Sequence, residues 1–354
     1  MRVGVVGCGY WGSKHLRVLT QIPGVSDVMG VDPRPDQRAR LATKANGVAM
    51  YPTLSSALPH VDAVIIATPP YEHAAVALQA LRAMKHVLVE KPMTTATSSG
   101  RQLVEEAATR QLTLMVGHTF EYHAVVWKLR ELIESGALGE IYYIDTARLN
   151  LGAYQSDVNV VWDLAPHDIS VINYLLRSRP DFVEAWGSAY VHPHQEDVAT
   201  LRLGYSDSGV RAQVQVSWLD PCKVRRVTVV GSRAMAVYDD LALEQPLRIY
   251  DKSVVYEPHE HSEPGLSYRH GGITAPHITL PEPLRVQDEH FVECARLGRR
   301  PDSDAESGLA VVQVLEAVSE AMRWRTRVMV PRGITQVAAP TNGASVHEML
   351  SQGV

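Results

Sequence analysis

The sequence predicts an α/β amino-terminal domain on a doubly wound parallel sheet, followed by an α+β domain with a largely antiparallel sheet covered by helices. Three observations predict it. The opening stretch, Val3 to Asp32, reads strand, glycine turn, helix, strand, acid. Up to about residue 120, β-branched apolar runs alternate with helical patterns, as βαβ units require. From Phe182 to Tyr250 the runs alternate with turns instead, as antiparallel strands with one covered face do.

Val3, Val5 and Val6 form the first strand, and Gly7-Cys8-Gly9-Tyr10-Trp11-Gly12 follows at once. Ser13 to Thr20 is compatible with a helix, and Val28 to Val31 is a second strand ending on Asp32. This order is that of a dinucleotide-binding, Rossmann-type unit. Gly7 permits the tight turn, Gly9 lets backbone approach a pyrophosphate, and Gly12 lets the helix pack against the strand. The helix N-terminus offers unpaired N–H groups to phosphate. Asp32 lies 20 residues past Gly12, placed to accept from a ribose diol, with Arg34 and Arg38 close behind.

The chain then predicts a helix over 36–44, a short strand at 48–50 and a buried strand at Val61–Ala67 that ends in Thr68-Pro69-Pro70. A helix over 72–84 carries His73, Ala77 and Leu81 on one face. His86 to Val89 is a strand running into Glu90-Lys91-Pro92, Thr97 to Arg110 a helix, and Leu112 to Val116 a strand ending at Gly117-His118. Beyond it come a helix over 125–135, a strand over 141–149, a helix within 159–177, and strands over 183–190, 198–205, 210–218, 225–230 and 234–239. Glu257 to Pro283 reads as an extended surface excursion, and 286–297 and 308–323 as helices. The expected domains are 1–120 for the dinucleotide and 121–335 for substrate binding and oligomerisation, with a tail at 336–354.

The 354 residues suffice for two cores. A net charge of -5 and a pI near 6.3 argue against nucleic acid as a partner. No run reaches the roughly 18 apolar residues of a membrane span. Three scattered cysteines (Cys8, Cys222, Cys294) fit a reducing, cytoplasmic compartment.

Ligands of an open parallel sheet sit at the carboxyl ends of its strands. That places Gly7 to Gly12, Thr68 to His73, and Glu90-Lys91-Pro92 at the expected site. Lys91, pinned by Pro92 after a buried strand, points to the crevice. Asp163 and His167 lie four residues apart around a helix start, with Pro166 expected in its first turn. A carboxylate beside a histidine fixes its tautomer and supports a proton shuttle. Tyr122 and His123 are candidate pocket-lining residues. His192-Pro193-His194 and His259-Glu260-His261 lack a third ligand at fixed spacing, so no metal is expected.

Together these motifs resemble the Gfo/Idh/MocA family of nicotinamide-dependent oxidoreductases. The glycine turn matches the family's first turn, Ala67-Thr68-Pro69 with His73 its TP-x-x-x-H segment, and Glu90-Lys91-Pro92 its EKP signature. Asp163-x-x-x-His167 matches its catalytic D-x-x-x-H, and Gly136-Ala137-Leu138-Gly139-Glu140-Ile141 its turn into the second domain. Ala165 replaces a common glycine and Ser170 a common final acid. The phrase from Asp157 to Ile169 is similar to a subgroup associated with sugar or nucleotide-sugar modification.

The resemblance implies that Lys91 orients a substrate hydroxyl, His167 exchanges its proton, and Asp163 assists. It implies NAD, with NADP less favoured because of Asp32. Gly7, Gly9, Tyr10, Trp11, Gly12, Asp32, Arg34, Thr68, Pro69, His73, Glu90 and Lys91 would line the cofactor; Lys91, Tyr122, His123, Asp163 and His167 the substrate. The expected reaction interconverts a secondary alcohol and ketone on a sugar, cyclitol or nucleotide sugar. It also implies a homodimer or homotetramer joined through the second sheet. Redox-assisted glycoside cleavage and a non-catalytic cofactor sensor stay open on the same fold; the intact Lys91, Asp163 and His167 set argues against the sensor.

Overall fold

The computed structural model describes residues 1–44, 48–155, 157–257 and 265–331. By its contacts the chain forms two compact units that cut across the expected boundaries. One comprises Met1–Tyr122 with Pro281–Gln313, the other His123–Leu280 with Val314–Arg332.

The first unit carries a six-stranded parallel sheet: β1 (Arg2–Val6), β2 (Asp27–Val31), β3 (Ala49–Tyr51), β4 (Ala63–Ile66), β5 (His86–Glu90) and β6 (Leu114–Gly117), in the order β3-β2-β1-β4-β5-β6. Its helices are α1 (Tyr10–Leu19), α2 (Pro35–Lys44), α3 (Leu54–Ala57), α4 (Pro70–Arg82) and α5 (Thr97–Thr109). Every residue of β4 is buried, because both faces of a parallel sheet are covered. The order reverses between β1 and β4, which sets the ligand crevice at their carboxyl ends. α4 starts at Pro70, two residues earlier than expected, since proline's missing N–H costs nothing at a helix start. A later helix, α8 (Pro283–Leu297), also belongs to this unit and packs on α1.

The second unit holds α6 (Ala124–Glu134), α7 (Val160–Leu176) and a nine-stranded sheet. The strands are β7 (Ile141–Leu151), β8 (Phe182–Ser188), β9 (Val198–Gly204), β10 (Arg211–Ser217), β11 (Leu219–Gly231), β12 (Met235–Asp239), β13 (Leu247–Glu257), β14 (Gly265–Thr274) and β15 (Val328–Met329). Their order is β14-β13-β12-β11-β7-β10-β9-β8-β15. All neighbours are antiparallel except β7 and β10, which run parallel. A further helix, α9 (Ala305–Trp324), spans the division at Gln313.

Two expectations need correction. Residues 265–274 of the expected excursion do lie exposed, but as a regular strand, β14, paired with β13. Val254, Val255, Tyr256, Leu266 and Tyr268 of this pair are all exposed. No one-sided apolar pattern marked the strands, which are held by their backbone ladder. Pro166 lies well inside α7, not in its first turn. The helix begins six residues earlier because the Asn159 side chain caps it, accepting from Trp162 N at 3.1 Å. His259-Glu260-His261 and the 336–354 tail lie outside the described residues. No described helix is long and apolar enough to cross a membrane.

Candidate active site

At the carboxyl edge of the first sheet, Gly7 turns the chain with φ +84, a conformation open to glycine. A Cβ on Gly12 would collide with the Gly7 carbonyl oxygen, so close packing of α1 on β1 excludes any side chain there. A Cβ on Gly9 would project into open space. Gly9 caps α1 without a side-chain hydrogen bond. A cavity of about 450 Å³ opens here, lined by Gly9, Tyr10, Ser13, Arg34, Gln37 and Arg40. Tyr10 and Trp11 are exposed at the start of α1, with the Lys14 ammonium over both rings.

Asp32 is buried at the end of β2. Its Oδ1 accepts from Arg34 N and Nε, both at 3.0 Å, and its Oδ2 from Cys8 N at 3.1 Å and Arg34 Nη2 at 2.9 Å. Burial raises its pKa, but Arg34 and the backbone donors outweigh burial and hold the group lowered, as a carboxylate. Cys8 beneath it is inert: burial and the Asp32 charge push its thiol up to about 12.

At the end of β4, Thr68 Oγ1 is buried without a hydrogen-bond partner among the described residues. Together with the space at Gly9 and the uncapped helix, this orphan fits a dinucleotide laid along the strand ends. Lys91 follows β5 and is half-buried.

Several residues expected to line the cofactor or substrate do other work. Glu90 turns inward: its carboxylate accepts from His15 Nε2 at 3.0 Å, and His15 Nδ1 lies 2.9 Å from Asp288 of α8. A buried carboxylate needs such a partner. Neither His15 nor Asp288 was picked out from sequence. His73 places its ring nitrogens 2.8 Å from the Pro92 carbonyl and 2.9 Å from that of Thr68, bracing two strand-end loops. Tyr122 is core: its hydroxyl meets Ser303 Oγ at 2.9 Å and its ring packs on His290. His123 caps α6, accepting from Val125 N at 3.2 Å, with its ring against Tyr238.

In the second unit, Asp163 and His167 are half-buried and one helical turn apart on α7. Asp163 accepts from the indole N–H of Trp218 at 3.3 Å. Trp218 is buried, and Tyr154 lies against it with ring centroids 5.0 Å apart. α7 is tied to the sheet by a buried ion pair, Arg148 Nε to Asp168 Oδ2 at 2.9 Å. Asp163 and His167 therefore sit on a helix clamped at its cap and at its sheet face. Among the described residues no group of three or more His, Cys, Asp or Glu side chains could hold a metal ion.

Residues 1–118 match the oxidoreductase family described as having an NAD-binding Rossmann fold, and residues 126–237 match the GFO/IDH/MocA C-terminal domain. The UDP-N-acetylglucosamine 3-dehydrogenase of Acidithiobacillus ferrooxidans is 31% identical over 71% of this chain and 77% of its own. The 4-carboxy-2-hydroxymuconate-6-semialdehyde dehydrogenase of a Sphingobium species is 30% identical over 89% of this chain and 96% of its own. Among solved structures, GenD2 from gentamicin A biosynthesis, in complex with NAD, superposes with a TM-score of 0.78 at 26% identity, covering 94% of this chain and 97% of its own.

Proposed function

The chain belongs to the Gfo/Idh/MocA family of oxidoreductases acting on CH–OH groups, and from that premise we propose that it interconverts a secondary alcohol and a ketone on a sugar, cyclitol or nucleotide sugar. The UDP-N-acetylglucosamine 3-dehydrogenase relative supports the sugar class. The observation that carries the reading is the Asp163–His167 pair on α7, its carboxylate held by Trp218.

When bound, the nicotinamide supplies the hydride acceptor. The chain's own residues do the rest. Oxidation takes a hydride from the carbinol carbon and a proton from its oxygen. Lys91 holds that oxygen and stabilises its alkoxide character, His167 accepts the proton, and Asp163 orients the imidazole. In reduction the same groups run in reverse. The buried Asp32 carboxylate repels a 2′-phosphate and favours NAD over NADP. The exposed Tyr142, Trp186 and Tyr268 of the second unit support assembly of this chain with itself, and the three free cysteines a cytoplasmic setting.

The test is a panel of polyols and nucleotide sugars, UDP-N-acetylglucosamine and myo-inositol among them, assayed with NAD for appearance of NADH and ketone. His167→Asn serves as control. NADH formation that depends on His167 supports the reading. Sugar release with no net change in NADH, or NAD binding with no reaction across the panel, counts against it.

A further inference from the structure

Three buried histidines stand at the carboxyl edge of the first sheet. His15 has a carboxylate on each nitrogen, and His73 a carbonyl at each. His118 has neither: it is 1% exposed, and both Nδ1 and Nε2 lack a hydrogen-bond partner among the described residues. Buried polar atoms in folded proteins are matched, and an orphan lowers stability unless something else meets it. A buried ring without protein partners leaves both nitrogens open to a ligand.

Its place in the fold says which ligand. Glu90 and Gly117 are register partners across β5 and β6, so Lys91 and His118 are the next residues beyond this pair, at the strand ends. Moving along the edge from β2, the chain presents Asp32, the Gly7–Gly12 turn, Thr68, Lys91 and then His118. With the ribose acid at one end and the phosphate turn next, a bound dinucleotide runs toward β5 and β6 with its nicotinamide leading.

The ring's charge state narrows the chemistry. Burial, aided by the Lys91 ammonium and opposed by Glu90, pushes the His118 pKa down to about 4, so the imidazole is neutral. A neutral ring offers one N–H and one lone pair on diverging nitrogens. It suits an uncharged group that both donates and accepts, as a carboxamide does, and does not offer the cation that a phosphate would call for.

We propose that His118 is the residue that hydrogen-bonds the nicotinamide carboxamide of the bound cofactor. The inference rests on the reading of the first unit as a nicotinamide dinucleotide site, and it is indifferent to NAD or NADP because both carry that group.

The test compares binding of NAD and of ADP-ribose, which lacks the nicotinamide, to wild type and His118→Phe by calorimetry. Phenylalanine keeps the ring and removes both nitrogens. The expected result is about tenfold weaker NAD binding, the loss of one hydrogen bond, with ADP-ribose affinity unchanged and the ligand-free melting temperature unchanged or higher. His118→Asn, which restores a donor and an acceptor, recovers part of the NAD affinity. Equal changes for NAD and ADP-ribose, or no change for either, overturn the assignment. Should the phenylalanine variant fail to fold, a crystal structure of the wild type with NAD decides: the carboxamide within hydrogen-bond distance of a His118 nitrogen supports it, and a carboxamide bound elsewhere overturns it. Wild type that binds ADP-ribose but not NAD contradicts this inference alone, whereas binding of neither, nor of NADP, removes the cofactor reading as well.

Discussion

The imidazole of His15 donates to the Glu90 carboxylate at 3.0 Å, inside a core where His15 itself is fully buried. Its other nitrogen faces Asp288. Burial opposes charge on the ring, but Asp288 and Glu90 together outweigh it and raise the pKa to about 10. Gly117 leaves the room: a Cβ there would sit 2.9 Å from the Glu90 carboxylate. One buried cation thus ties α1, α8 and the end of β5 together, directly before Lys91.

A pH dependence follows, with a definite sign. A histidine whose pKa rises on folding contributes stability that is complete below its unfolded value of about 6.5 and lost as pH climbs through its folded value of about 10. Wild type should lose melting temperature across that window more steeply than His15→Gln. Removing the cation should also cost roughly 3–5 kcal/mol near neutral pH, because two carboxylates are left buried together. Denaturant unfolding of both proteins across the range checks this; parallel curves would contradict it.

The four donors on Asp32 bear on cofactor choice. A carboxylate has about four acceptor sites, and the two backbone N–H groups with the Arg34 fork fill them. A ribose diol must therefore displace Arg34 from its pairing. Arg34→Ala should leave NAD binding within about threefold, since the lost guanidinium was a competitor. Asp32→Ser should shift the NADP to NAD affinity ratio by at least about tenfold, because it removes the repelling charge and frees Arg34 for a 2′-phosphate. Titration of each variant with both cofactors measures the ratio.

Trp218 acts through Asp163. Trp218→Phe keeps most of the buried ring and removes the donor at 3.3 Å. A hydrogen bond to a charged group contributes about 1.5–3 kcal/mol, so kcat should fall roughly tenfold or more while the NAD affinity stays unchanged. A variant that loses melting temperature but keeps kcat would mark Trp218 as packing alone.

Sequence resolved what neighbouring residues encode. The Gly7–Gly12 turn, Asp32 and the strand running into Lys91 depend on separations of a few to about two dozen residues and stand where those separations put them, while Asp163 and His167 keep their one-turn spacing on a helix that starts earlier than expected. The two carboxylates that His15 bridges were not legible in the same way. His15 and Asp288 are 273 residues apart. The periodicity of 283–297 announces a buried face but not that the face packs on α1. The structural contacts of Tyr122 and His123 were not legible for a related reason. A polar tip near a strand end is as often a core anchor or a helix cap as a ligand contact, and only Ser303 and Val125 N reveal which.

The central claim is that Lys91 and His167 carry the chemistry. It is tested most directly by turnover of Lys91→Met and His167→Asn, beside wild type, on a sugar that the wild type oxidises with NAD. Each variant should remain folded and bind NAD, with kcat lower by at least about 10²-fold, near 2.7 kcal/mol of transition-state stabilisation. Lys91→Arg should not restore it, because a planar guanidinium does not replace a compact ammonium. Unchanged turnover in a folded, NAD-binding Lys91→Met protein would contradict the account.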